Sequence, residues 1–278
     1  MTRTGPDPAE LTERTQRIRR SIVRMCSVSS GGHLGGSMSL VEILTTLYTV
    51  LDVDPRHPDA PDRDIVLLSK GHGAIGLYAT LAEFGFFPEA RLADYGRAGA
   101  PFIAHPNTEL PGVEIPSGAL GHGLPVAIGF ALGARLAHQD RRRVVVVMGD
   151  GEQQEGSVWE GAMAASSLGL DNLTAVVDRN GLQITGRTED VVTLEPLAGR
   201  WRSFGWTVRE VDGHDLGALW RATTDPPEAG RPTLVLAATV KGRGLPYIED
   251  DVRSHFARLG ARQVQRALST LQAGSEGR

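Results

Sequence analysis

Asp150 and Asn180 are the residues whose type and spacing most clearly suit chemistry. Gly149-Asp150-Gly151 follows the apolar run Val144 to Met148, and Asp178-Arg179-Asn180 ends a second run, Leu173 to Val177. Short apolar runs of this kind predict buried strands. Both residues are then delivered to strand carboxyl ends, the edge where open α/β sheets bind ligands. A carboxylate and an amide offer hard oxygen donors. These suit a divalent cation such as Mg²⁺, which takes few protein ligands and fills its shell with phosphate and water. The pair points to a metal bridged to a phosphorylated cofactor. The plainer alternative is a strand-end turn, since Asp-Gly is also common turn chemistry.

The elements that must position this pair alternate between helix and strand. Asp7-Pro8 opens a helix to about Ser27, with Asp as cap and Pro at the first turn, and with Leu11, Ile18, Ile22 and Met25 on one face. Ser29 to Ser37 reads as a glycine-rich loop around His33, and Ser39 as the cap of a helix through Leu51. Ile65 to Leu68 is a strand entering Ser69-Lys70-Gly71-His72-Gly73 and a helix to about Phe84. Residues 97 to 122 lack periodicity, and a loop of that length is usually functional or disordered. Gly123 to Ala137 is helical, with Gly129, Ala131, Gly133 and Ala134 expected to allow close packing. Helices at Glu195–Phe204 and Asp215–Thr224, strands at Trp206–Val211 and Thr233–Thr239, and a helix from Leu259 to Leu271 before a frayed tail, Ala273–Arg278, complete the chain. The alternation predicts an α/β fold with a largely parallel sheet flanked by helices.

Bulk properties narrow the partners. A formal net charge of -4 gives no electrostatic reason to expect nucleic acid or an anionic membrane. The single cysteine, Cys26, permits no internal disulfide and fits a reducing cytoplasm. The N-terminal MTRTGPDPAEL lacks the apolar core of a signal peptide, and no apolar stretch is long enough to span a bilayer. The expectation is a water-soluble, cytoplasmic protein of one domain, residues 1–278.

The longer pattern resembles a known family. GDGEQQEG, then VVDRNGLQITG with Asn180 lying 29 positions beyond Gly151, matches the thiamine diphosphate motif. GGHLGG, SKGH, HPNTELPGVEIPSGALGHGL and VKGRG follow transketolases in order and spacing. The resemblance covers nearly the whole chain, but only that family's N-terminal, diphosphate-binding (PP) half. It implies that Asp150, Asn180 and the backbone carbonyl of Leu182 hold Mg²⁺, or another divalent cation such as Ca²⁺. Gly151 would let the backbone approach the diphosphate, and the helix starting near Gly156 would aim its dipole at the same anion. His72 would donate to the diphosphate, and Gly118, Ala119 and Leu120 would line the pocket around the cofactor's rings. His33 and His105 would lie near the reactive carbon, with His255 facing diphosphate and substrate. Glu155 would sit at a subunit interface, or serve only as a first-turn acid against the helix dipole. Lys241 and Arg243 would lie near phosphate, or simply be solvated.

Three positions depart from the family pattern. His122 stands where glutamine is frequent, Leu34 where proline follows the loop histidine, and Phe256 where glycine follows His255. These changes put the ordinary pentose phosphate substrate in doubt. The glutamate that activates the cofactor's pyrimidine ring belongs to the family's following domain. The chain reads as a complete product without that domain. The resemblance thus implies a split transketolase, with the pyrimidine-binding domain on a partner chain, an α2β2 heterotetramer, and sugar or sugar-phosphate substrates. The alternatives are a related carboligase of a specialised pathway, such as one making a 1-deoxyketose, and a non-catalytic scaffold subunit.

Overall fold

The apolar runs become strands because both faces of each are covered. The computed structural model describes residues 7–28 and 30–276. It opens with α1 (Pro8–Met25), α2 (Leu34–Met38) and α3 (Val41–Val50). Strand β1 (Ile65–Leu68) leads through a 3₁₀ turn, Gly71–Gly73, into α4 (Ala74–Glu83). After an irregular stretch come α5 (Gly123–Leu136), β2 (Val144–Gly149), α6 (Gly156–Ser167) and β3 (Leu173–Arg179). A hairpin, β4 (Leu182–Gln183) and β5 (Gly186–Arg187), precedes α7 (Thr188–Val191), α8 (Leu197–Ser203) and β6 (Thr207–Asp212). The chain closes with α9 (Leu216–Thr224), β7 (Thr233–Ala238) and α10 (Ala261–Glu276).

The main sheet has the order β1-β2-β3-β7-β6, and every neighbouring pair in it is parallel. Successive side chains divide between two cores, as a period of two requires. Val66, Leu68, Val145, Val147 and Val176 pack with α1, α3 and α4. Leu67, Val144, Val146, Ala175 and Val177 pack with α5, α6 and α8. Covered on both faces, the sheet has the continuous apolar strands expected of parallel architecture. All its carboxyl ends share one edge, so Ser69, Asp150, Asn180, Gly213 and Thr239 leave the sheet together.

Several local expectations change. The glycine loop contains α2, although Leu-Gly-Gly-Ser-Met is poor helix-forming sequence. Tertiary contact overrides propensity there. All five residues are buried, and a Cβ on Gly35 would collide with Ser254 Oγ, so that close approach requires glycine. Ser39 is not a cap: α3 is preceded by Leu40, and the Ser39 hydroxyl donates to Asp178 at 2.7 Å. Ala131 and Ala134 pack as expected, whereas Gly129 and Gly133 face outward, with nothing within 4 Å of where a Cβ would stand. Helix α10 continues through Glu276 rather than fraying after Leu271. The start of the N-terminal segment, Ser29 and the last two residues of the tail lie outside the described residues. The cap expected at Asp7 is present, accepting from Ala9 N–H at 2.9 Å, and Asp215, expected near the start of its helix, accepts from Ala218 N–H at 3.0 Å.

Candidate functional site

The strand-end edge is organised by a buried carboxylate that the sequence reading passed over. Asp178, near the end of β3, is fully buried. One oxygen accepts from Lys70 Nζ at 2.6 Å, Ser39 Oγ at 2.7 Å and Asn180 Nδ2 at 3.2 Å; the other accepts from the Thr239 hydroxyl. Burial opposes its ionisation. The Lys70 ammonium and the two hydroxyls outweigh burial and hold the carboxyl below its ordinary range. Asp178 therefore joins the ends of β1, β3 and β7 and orients the amide of Asn180.

Asp150, Asn180 and Leu182 line one cleft of about 280 Å³, together with Gly151, His72 and Lys241. The Asp150 carboxylate accepts from Gly151 N–H at 2.8 Å, Gly181 N–H at 2.5 Å and Arg179 Nη1 at 3.3 Å. Burial, then the nearby Asp178 charge, push its carboxyl above the ordinary range despite these donors. Asn180 Oδ1 accepts from Leu182 N–H at 3.1 Å, and the Leu182 carbonyl accepts from Lys241 Nζ at 3.3 Å. Among the described residues, no three His, Cys, Asp or Glu side chains are grouped to hold a metal by themselves. A cation here would draw on one carboxylate, one amide and one carbonyl, with further oxygens from a bound ligand. That donor set fits Mg²⁺ or Ca²⁺ better than a transition metal.

The same cleft is rich in positive charge. Lys70 and Lys241 are both buried, and burial together with Lys70 lowers the Lys241 ammonium to about 8. The loop bearing Lys241 is tethered from behind. His214 Nε2 accepts from Val240 N–H at 2.8 Å while Nδ1 meets Glu42 at 3.1 Å, and Arg19 bridges Glu42 and the Arg243 carbonyl. Arg243 itself lies elsewhere, in an open groove with Glu210, Asp212 and His214. From this segment Gly151, Glu152, Gln154 and Glu155 border the cleft; Gly156, where α6 begins, does not.

Glu152 is a second buried carboxylate that the sequence reading passed over. It accepts from Gly149 N–H at 3.0 Å, Gly121 N–H at 2.9 Å and the Ser69 hydroxyl, and that hydroxyl accepts from Gly123 N–H at 3.1 Å. The 117–123 loop is thus fastened to the Gly-Asp-Gly turn. Gly118 and Leu120 line the cleft; Ala119 is exposed and outside it. Glu155 lines the cleft while remaining exposed at the cap position of α6. His122 is exposed, with Nδ1 3.0 Å from the Leu120 carbonyl.

Four histidines from four segments converge. The His33 ring centroid lies 5.7 Å from His72, 5.8 Å from His105 and 5.4 Å from His255. Gly118 packs against His105, and Lys241 Nζ lies 3.0 Å from His255 Nδ1. Burial, then His105 and the two lysines, lower His33 to about 4; burial, then Lys241, lower His255 to about 4. His72 is pushed well below its ordinary value by burial and Lys70. His33, His72 and His255 are therefore neutral acceptors and donors at neutral pH.

A folded-state pKa below the unfolded value near 6.5 gives stability that is complete above pH 6.5 and lost as pH falls towards about 4. The slope is at most about 1.4 kcal/mol per pH unit for each histidine, less where solvent reaches the ring. Urea unfolding at pH 7 and pH 5 is expected to give lower stability at pH 5. The His255→Gln variant should flatten that slope, and an unchanged slope would exclude His255 from the effect.

Residues 12–275 match the family described as transketolase, thiamine diphosphate binding domain. The chain is 42% identical over 266 residues to a subunit of the apulose-4-phosphate transketolase of Actinobacillus succinogenes, covering 95% of this chain and 96% of that one. It is 36% identical over 266 residues to the 6-deoxy-6-sulfo-D-fructose transketolase subunit SqwG of a Clostridium species, with the same coverage. Among solved structures, transketolase of Pichia stipitis in complex with sedoheptulose 7-phosphate superposes with a TM-score of 0.88 at 28% identity, over 96% of this chain and 41% of that one. Transketolase of Campylobacter jejuni gives 0.84 at 27% identity, over 95% and 42%. The chain therefore spans about two fifths of the solved transketolases it matches.

Proposed function

The chain belongs to the transketolase family through its thiamine diphosphate-binding domain, and from that premise we propose that it is the diphosphate-holding subunit of a split transketolase. A separate chain carries the pyrimidine-binding domain. Together they move a two-carbon ketol unit from a ketose, or its phosphate, to an aldose. The observation that carries this reading is the meeting of Asp150, Asn180, Leu182 and two buried lysines in one strand-end cleft. Its near-complete span of relatives named as separate subunits supports division of the enzyme between two chains.

When bound, thiamine diphosphate supplies a nucleophilic carbon and an electron sink for carbon–carbon bond cleavage. Asp150, Asn180 and the Leu182 carbonyl hold the Mg²⁺ or Ca²⁺ that neutralises the diphosphate. His72, Lys70 and Lys241 face the same anion. His33, neutral at neutral pH, and His105 beside it hold substrate hydroxyls, and His33 accepts or returns their protons. His255 is fixed against Lys241 and so bridges the diphosphate and substrate ends. Glu155, exposed on the rim, is directed to the partner chain.

An exposed apolar face supports such a partner. Leu136 is 73% exposed and Met163 59% exposed; Val126 and Leu168 are also exposed, and Gly129 and Gly133 leave open space where side chains would stand. A patch of this kind is unusual for a chain that works alone. An α2β2 assembly would cover it. Among the described residues no helix is long and apolar enough to cross a membrane. A cytoplasmic location suits the single buried thiol, Cys26.

The departures at Phe256, His122 and Leu34 favour a specialised sugar over the common pentose phosphates. The related subunits are named for apulose 4-phosphate and 6-deoxy-6-sulfofructose, neither of which is an ordinary pentose phosphate. The test is calorimetry with Mg²⁺ and thiamine diphosphate, on the chain alone and after mixing with a chain that carries the pyrimidine-binding domain. The complex is expected to bind the cofactor and transfer a ketol unit, and the single chain to be inactive. An assembled complex that binds no thiamine diphosphate would reject the reading in favour of a scaffold.

A further inference from the structure

Phe256 is an aromatic ring held rigidly where burial does not require it. Gly32 and Ala257 exchange backbone hydrogen bonds, each of 2.9 Å, and Leu259 N–H donates to the Cys26 carbonyl at 2.9 Å. This short antiparallel seam fixes the Phe256 backbone beside the histidine loop. The ring lies on Gly31, where a Cβ would come within 2.9 Å of a ring carbon and where φ is +65°. It also stands edge-on to His33, with centroids 5.2 Å apart and planes at 85°. Despite packing on both residues, Phe256 is 49% exposed.

His33 is therefore surrounded by four rings, three imidazoles and one phenyl. Phe256 is the apolar member of that set and the most open to solvent. Beside His33, the exposed Phe256 ring offers an apolar surface to solvent. A phenyl face attracts C–H groups and offers a hydroxyl or phosphate no hydrogen bond in exchange for lost water. Because Gly31 is the surface on which it rests, the ring cannot move back without clashing with the backbone.

We propose that Phe256 is a specificity-determining residue: its ring contacts the sugar carbon next to the group held by His33. It favours substrates that turn C–H to the ring at that carbon and disfavours linear sugar phosphates that turn a hydroxyl to it. This rests on the reading of the cleft as a ketol-transfer site. The ring acts by shape and hydration and moves no proton.

The experiment uses the assembled two-chain complex, with xylulose 5-phosphate as donor and ribose 5-phosphate as acceptor. Phe256→Gly and Phe256→Ala are expected to raise kcat/KM for this pair by about tenfold or more, mainly through KM, a size typical of reshaping an apolar pocket. Phe256→Trp should keep the exclusion. Affinity for thiamine diphosphate should stay within about twofold of the parent, since the ring does not line the diphosphate cleft. Unchanged kcat/KM in both small-residue variants would overturn the proposal. Weakened association of the two chains with unchanged selectivity would also overturn it, by assigning the ring to the interface. Failure of the parent reading is separately visible, because the unsubstituted complex would then bind no thiamine diphosphate.

Discussion

Replacing Asp178 with alanine is expected to lower the unfolding free energy by about 3–5 kcal/mol, the cost of leaving a buried charge without its partner. Lys70 is as deeply buried as Asp178, and its other acceptor is the Gly36 carbonyl at 3.3 Å. Removing the carboxylate also frees the hydroxyls of Ser39 and Thr239 and the amide of Asn180. Asp178→Asn should fall between the two, keeping an acceptor oxygen but no charge. The double variant Asp178→Leu with Lys70→Met should recover much of the loss, since replacing both ions removes the orphan. Urea unfolding of the three variants measures this. Stability equal to the parent in the alanine variant would show that the pair is not the hinge of this edge. The pH window, rather than the sign, separates it from the histidines, since both contributions are lost as pH falls. A depressed carboxyl stabilises above its unfolded value near 3.9 and loses that contribution only as pH falls further.

The legible parts of the molecule were those written in adjacent residues. Val144 to Met148 and Leu234 to Ala237 form strands because they are continuously apolar and buried, and Asp7 and Asp215 cap helices through bonds two or three residues away. Asp150 and Asn180 were visible because each ends such a strand. What escaped was set by distance along the chain. Lys70 and Asp178 are 108 positions apart, and neither residue alone predicts the other. A charge inside the run VVDRN was nevertheless a signal, because an acid at the end of a fully buried strand needs a partner. Arg19 and Glu42 were harder still: on amphipathic helices they resemble solvated charges, yet they pair at 2.7 Å inside the protein. The α2 turn had no local signal, since its helix exists by contact with Ser254 and the Lys241 loop.

Asp150 is expected to behave in the opposite way to Asp178, mattering to the ligand and hardly to the fold. Its carboxyl is raised by burial and then by the nearby Asp178 charge, so ionising it costs more here than in water. Truncation in Asp150→Ala relieves that repulsion while depriving the Gly151 and Gly181 N–H groups of an acceptor. The two effects oppose each other, and the unfolding free energy without metal should change by about 1 kcal/mol or less. Affinity of the assembled complex for thiamine diphosphate in Mg²⁺ should instead drop by at least about a hundredfold, because loss of even a supporting group around a metal costs about 10–100-fold. Metal removal supplies the control. Chelation should weaken cofactor binding to the parent complex strongly and to the alanine variant scarcely at all, since that variant has already lost the ion's carboxylate. Calorimetry in Mg²⁺ and in chelator reads all four states. If the variant binds cofactor as the parent does and responds equally to chelation, the cation is held elsewhere. The raised Asp150 carboxyl would then be only the cost of packing two acids, Asp150 and Asp178, at the ends of neighbouring strands.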